Sequence, residues 1–173
     1  MKKTLYLFLA VSLIFTSCKK EEGCTDPIAS NYNADAEEDD NSCTYSIIGV
    51  WTPNSMSINA NSTVSVAGTT IQSFDTSYTV TPQDSSWELQ GNIEFTNDGS
   101  VITTNEDGDL ETDSYTTSGS SLTITDADGD ENDATYTVTK TNLAFTISDT
   151  ETETNMGTTV TSTYDMTFNC TRQ

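Results

Sequence analysis

The sequence predicts an all-β chain: an antiparallel up-and-down barrel of about eight strands, preceded by a disulfide-closed irregular leader. Apolar side chains recur at every second position through much of the 173 residues, short Gly and Asn turns separate them, and two cysteines bracket an acidic stretch poor in apolar residues. A period of two marks a strand with one dry face, and closely spaced turn residues join such strands as hairpins.

The chain opens with Lys2 and Lys3, an apolar run over residues 5–15, then Thr16, Ser17 and Cys18. A basic start, a short apolar run and small residues are the order of a secretory signal, here residues 1–17. The run is too short for a membrane-spanning helix, which takes ~20 apolar residues. Phe15-Thr16-Ser17-Cys18 resembles the lipobox of bacterial lipoproteins, and Lys19-Lys20-Glu21-Glu22 resembles the surface-export signal of lipoproteins from Bacteroidetes-type bacteria. The resemblance implies cleavage before Cys18, acylation of that cysteine with palmitate-type chains, and a lipidated tether over residues 18–23. At ~0.8 kcal/mol per buried CH₂, two or three such chains hold a protein on a membrane. The implied location is the outer membrane, at the cell surface; the periplasmic face is the alternative.

From Cys18 onward, Lys19, Lys20, Lys140 and Arg172 stand against 27 carboxylates, and the whole chain carries a formal charge of −21. Such a chain repels phosphate, so nucleic acid is excluded as a partner. It contains no histidine, which removes the commonest general base and the Ser/His and Cys/His nucleophile pairs. Glu88 and Glu94 fall on the outward parity of their strand, away from any cleft, and an enzyme is not expected.

Residues 24–45 form the Cys-bounded acidic segment. In an exported chain thiols oxidise, so Cys24 and Cys43 are expected to pair, which closes a loop worth ~3 kcal/mol in the chain-entropy model. The stretch from Gly23 to Tyr45 also resembles a short Cys-bounded acidic repeat of exported proteins from marine Bacteroidetes, with Asn41 where glycine is usual. Asp26, Asn31, Asn33, Asp35, Asp39 and Asp40 offer hard oxygen ligands of the kind Ca²⁺ takes, without EF-hand spacing. Two readings stand open for this segment, a Ca²⁺ loop and a polar spacer held by its disulfide.

Residues 47–173 carry the barrel pattern. Trp87, Leu89, Ile93 and Phe95 share one parity, with Gly91 marking a bulge; Leu122/Ile124, Tyr136/Val138, Leu143/Phe145/Ile147 and Tyr164/Met166/Phe168/Cys170 repeat the rule. The turns fall at Asp98-Gly99, Asp107-Gly108, Ser118-Gly119, Asp128-Gly129 and Thr141-Asn142, with a longer link from Asp149 to Gly157. Residues 52–86 follow the pattern loosely and receive no strand assignment. Closing the meander removes its unpaired edges; a β-sandwich is the alternative. Cys170 has inward parity and is expected as a buried free thiol.

Ile47-Ile48-Gly49-Val50-Trp51 resembles the G-x-W signature of lipocalins and of the lipocalin-like domains of bacterial lipoproteins, and Phe95 to Val101, Tyr115, Ser121 to Ile124 and Phe168 to Gln173 follow in that family's order. The resemblance implies that Arg172, the sole arginine, packs over Trp51 beside Gly49 and shuts one end of the barrel. A cation over an indole face is worth ~0.5 to 2 kcal/mol.

Alternate turns of a meander lie at opposite ends. The second (Glu106, Asp107, Asp109, Glu111), fourth (Asp126, Asp128, Asp130, Glu131, Asp133) and sixth (Asp149, Glu151, Glu153) then crowd carboxylates at the mouth opposite Arg172. Asp126, Asp128 and Asp130 alternate at a glycine turn as Ca²⁺ ligands would; solubility alone also accounts for the charge. The function expected is a membrane-anchored, surface-exposed, non-catalytic lipoprotein whose barrel binds a small apolar molecule or a partner, with Trp87, Phe95, Tyr136, Phe145, Tyr164 and Phe168 as wall candidates. The alternative is a structural or adhesive envelope module that depends on Ca²⁺.

Overall fold

The computed structural model describes residues 20–87, 89–104 and 107–173, and the chain divides between Thr44 and Tyr45 into two compact units. The signal segment, Cys18, Lys19, Glu88 and Glu106 lie outside the described residues.

In the first unit, β1 (Glu22–Gly23) and β2 (Glu38–Asp39) make a short parallel bridge, and the rest is turns. Cys24 and Cys43 are bonded, and Cys24 and Ala29 are buried. With so little apolar surface, backbone amides and side-chain groups supply the remaining order: Asn33 N–H donates to Cys24 O at 2.8 Å, and the Asn31 side chain bridges to the segment around Cys43, donating to Ser42 O at 2.7 Å and accepting from Thr44 N–H at 2.8 Å. Asn41 takes φ 62°. Asparagine tolerates that left-handed conformation better than most residues.

The second unit is all β, in the order β3 (Gly49–Val66), β4 (Thr69–Val80), β5 (Gln90–Phe95), β6 (Ser100–Thr104), β7 (Leu110–Ser118), β8 (Ser121–Thr125), β9 (Glu131–Val138), β10 (Asn142–Asn155) and β11 (Thr158–Arg172). From β5 to β11 each strand pairs antiparallel with the next; β11 pairs with β3, and β3 with β5, which closes eight strands into a barrel. β4 is a ninth strand, outside that closure. The inward parity gathers Ile47, Trp51, Ile93, Phe95, Val101, Leu122, Ala134, Leu143, Phe145 and Cys170 into one buried cluster. Phe145 stacks on Phe168 at 4.8 Å between centroids, and Tyr115 meets Phe95 edge-on at 5.0 Å. At the Asp98-Gly99 hairpin the Tyr115 hydroxyl donates to Thr96 O at 2.8 Å, which ties that turn to the core.

One end is shut as expected. Trp51 is fully buried, its indole N–H donating to Ile47 O at 2.7 Å, and the Arg172 guanidinium lies 4.1 Å from its ring centroid. That guanidinium also donates to Ile48 O at 2.9 Å, Ser46 O at 2.8 Å and Lys140 O at 3.0 Å. Three carbonyls from two distant segments are thereby satisfied by one planar fork. Gly49 has φ 139°, and a Cβ there would stand 2.6 Å from Arg172 Nη1.

The region without a strand assignment forms a long hairpin. β3 runs 18 residues; only Gly49–Trp51 of it pairs with β5, and Met56–Val66 pairs with β4. The sixth link is corrected as well: Asp149 to Asn155 continue β10, and the turn is only Met156-Gly157. β3, β10 and β11 therefore outrun the barrel, and with β4 they build a four-stranded antiparallel overhang in the order β10, β11, β3, β4. Its length is about 25 Å at ~3.4 Å per residue.

Gly49→Ala adds a methyl group where the arginine sits, and is expected to lower stability by about 2–4 kcal/mol. Arg172→Lys keeps a cation but loses the fork, and should cost about 2–3 kcal/mol. Chemical denaturation of both variants checks this; two unchanged midpoints would mean that the barrel end is held some other way.

Candidate functional site

The overhang has two faces of different chemistry, set by the register. On its outer face the cross-strand rows are Thr154/Thr159/Ser65/Thr70, Thr152/Thr161/Thr63/Ser73, Thr150/Thr163/Asn61/Asp75 and Ser148/Asp165/Asn59/Ser77. Most of these side chains bond to one another: Thr154 with Thr159 at 3.0 Å, Ser65 with Thr70 at 3.2 Å, Ser148 with Asp165 at 2.5 Å, and Asn61 with Asp75. A shallow depression of about 340 Å³ on this side is lined mainly by such polar groups.

The inner face continues the parity of the barrel core. Beyond the row Phe145/Phe168/Met56/Val80 come Ile147/Met166/Ile58/Tyr78, then Tyr164 with Ala60, and further out Val160 with Val64. Phe74 and Tyr78 of β4 are 51% and 50% exposed, and Ile71, Val66 and Val160 are also exposed. These rows run past the last β9–β10 pair, and apolar side chains that would be core inside the barrel are half-buried or exposed there. At the β10 edge the same face ends in Asp149, Glu151 and Glu153, paired with Tyr164, Ser162 and Val160.

The mouth beside this face is acidic on its inner wall. Asp113 pairs with buried Val101, Glu111 lies two residues before it on the same parity, and Asp126 follows Leu122 and Ile124 on theirs. Burial, then the charges of Asp126 and Glu111, push the Asp113 carboxyl above its ordinary range. An apolar wall and two groups of carboxylates thus share the open end.

The aromatic candidates separate. Phe95 and Phe145 are buried in the core, and Tyr136 and Phe168 pack against it. Tyr164 lies on the overhang, half-buried, past the last β9–β10 pair at Ile147. Trp87 is corrected: β5 begins at Gln90, and Trp87 sits half-buried in the preceding turn, where its backbone N–H donates to Asp84 O at 3.1 Å. Positive φ at Gly91 and a register break between Gln90 and Glu94 give the expected bulge.

The Ca²⁺ candidates are not brought together; among the described residues no three or more carboxylate or thiol side chains are grouped as a metal site. Several are turned on their own backbone. Asp126 Oδ1 accepts from Asp128 N–H at 3.0 Å and Asp130 N–H at 2.9 Å, Asp26 from Ile28, Asp39 from Asn41, Asp40 from Ser42, and Asn33 from Asp35. These are Asx turns, which hold a loop without any ion. Sequence reasoning missed Ile58, Met166, Tyr78 and Phe74 as site residues, although Met56, Ile58, Ala60, Val64 and Val66 do alternate.

The class of molecule defined here is an eight-stranded antiparallel barrel with an overhanging sheet. A scan against protein-family models, a search of curated proteins and a search of solved structures each found no match to this chain.

Asp113 supplies a pH test. Its folded-state pKa is raised above the ordinary 3.8, so between the two values the native state holds more protons than the unfolded one, and the charged form is the unfavourable one. Asp113→Asn should therefore raise the melting temperature near neutral pH, and its advantage should shrink as pH falls through the raised value and vanish below 3.8. An advantage independent of pH would place the effect in packing instead.

Proposed function

We propose that the protein is an exported, lipid-anchored, non-catalytic binding module whose ligand is an apolar molecule or segment carrying positive charge. The observation that supports this reading is the inner face of the overhang, where Ile58, Met166, Tyr78, Tyr164 and Val160 lie beside Asp149, Glu151 and Glu153. Apolar contact supplies affinity, at ~25 cal/mol per Å² removed from water. The carboxylates select sign and speed the encounter, since an acidic concavity attracts cations and repels anions.

The barrel interior is a less favoured seat than the sequence suggested. Its aromatic residues Phe95, Phe145 and Phe168 pack on one another or on neighbours in the core cluster. The exposed rows are the continuation of that core, so a ligand there adds apolar cover without displacing a side chain. The lipocalin-like Gly49-Val50-Trp51 fits a binding role, and the lipobox-like Phe15-Thr16-Ser17-Cys18 fits anchoring at an outer membrane with surface display.

Calorimetric titration with dodecyltrimethylammonium, below its micelle concentration, is expected to give saturable binding that weakens as salt shortens the Debye length from about 20 Å to about 5 Å. Dodecyl sulfate should bind at least about tenfold more weakly. Glu151→Gln and Glu153→Gln should each lower affinity for the cation about two- to fivefold, and Ile58→Ser with Met166→Ser should abolish it. Equal binding of the two detergents, or none of the cation, would overturn the assignment.

Anchoring has its own test. In a bacterial host with lipoprotein processing, labelled palmitate is expected on the wild-type chain and not on Cys18→Ala; label retained by the variant would remove the anchor from the reading.

A further inference from the structure

β4 is the free margin of the nine-stranded sheet, and among the described residues no strand pairs with its outer edge. Every residue of it before Val80 is exposed. The sheet's other long margin is the edge of β10 beyond Ile147, where among the described residues the pairing with β9 has ended, but it carries Asp149, Glu151 and Glu153. Charges along a free strand are a device that blocks edge-to-edge pairing. β4 has a single charge, Asp75, and that carboxylate accepts from the Asn61 amide across the hairpin. Over residues 52–83 Asp75 is the only ionisable charge in a chain of formal charge −21. Two copies repel over most of their surfaces and meet without that penalty along this strip.

We infer that β4 pairs antiparallel with β4 of a second copy about a two-fold axis at Thr76. In that register Phe74 of one copy stands beside Tyr78 of the other, twice, and Asp75 faces the hydroxyl of Ser77, twice. Opposed residues of antiparallel strands share a face, so the two aromatic pairs lie on the inner face and cover side chains now half in water. Aromatic cross-strand pairs contribute to sheet stability, and like charges directly opposite subtract from it; centring at Asp75 would set two carboxylates against each other. The bulge between Val64 and Ser65 on the β3–β4 ladder interrupts the strand at Ile71, which limits regular pairing to the segment from Gln72 to Val80. A two-fold contact of this kind is isologous and closes at two copies, leaving the carboxylate-guarded β10 margins outside. The two overhangs become one eight-stranded sheet, with the polar rows on one side and the rows that carry Ile58, Met166, Phe74 and Tyr78 on the other.

Sedimentation equilibrium of the intact chain is expected to show a monomer–dimer equilibrium that tightens at least fivefold as added salt takes the Debye length from about 20 Å to about 5 Å, because screening removes the repulsion between copies. Ser73→Glu with Ser77→Glu, both on the outer face and outside the proposed ligand surface, should abolish dimerisation with little change in melting temperature or in detergent binding. Thr76→Cys should form a disulfide-linked dimer under mild oxidation, since opposed strand residues lie about 4.5–5.5 Å apart and a disulfide spans about 4.4–6.8 Å. Thr152→Cys, on the guarded margin, should not. A wild-type chain that stays monomeric at high salt, a double glutamate variant that still dimerises, or equal cross-linking by the two cysteines would each overturn the pairing.

Discussion

The guanidinium of Arg172 ties together segments far apart in the chain at the seam of the barrel. Its partners Ser46 and Ile48 lie 126 and 124 residues away, and the third carbonyl belongs to Lys140 on a separate hairpin. The indole beneath it supplies a face that needs no hydrogen bond in return. Around this contact Gly49 has to be glycine, Trp51 has to be buried and the final strand has to finish where the first begins. Backbone bonds reinforce the seam, with Arg172 N–H donating to Thr141 O at 2.8 Å and Gln173 N–H to Val50 O at 3.0 Å. Because closure is fixed at this end, any mismatch in strand length appears at the other. β3, β10 and β11 are the long strands, and their excess becomes the overhang.

Much of this was legible. Strands β5 and β8 to β11 carry alternating apolar residues, and glycines at 99, 108, 119, 129 and 157 take positive φ at their turns. Three features defeated the reading, each for a physical reason. The β3–β4 turn is Ala67-Gly68, with φ 50° and 80°; hairpins prefer Asn or Gly at the first of these positions, so alanine gave no turn signal. The β3–β11 register breaks between Asn169 and Cys170, which flips parity near Asn54 and hides the alternation of Met56, Ile58 and Ala60. Met156 repeats the alanine case at φ 49°, so the last hairpin read as a long acidic link.

The site was only partly legible, because two-faced strands look alike whether or not another strand covers them. Periodicity assigns Met166, Ile147 and Phe168 to one side without saying where the barrel stops. That depends on strand lengths, which are set by pairing partners far away in sequence. Charge was easier. The even-numbered turns do lie opposite Arg172, but Asp149, Glu151 and Glu153 flank a surface instead of tipping a loop. Threonine and serine on the outer face bond laterally, while the other side carries the apolar rows.

Cys170 sits at the opposite end of the ladder from all this, buried against the core with its thiol pushed up to about 12 by desolvation. Exchange proceeds through the thiolate, so once the final strand is zipped this sulfur is chemically silent. Cys24 and Cys43 precede Cys170 in the chain, and their pairing is exposed to scrambling by that thiol only until its strand docks. An odd cysteine is tolerated here because the order of synthesis and the depth of the core keep it out of circulation.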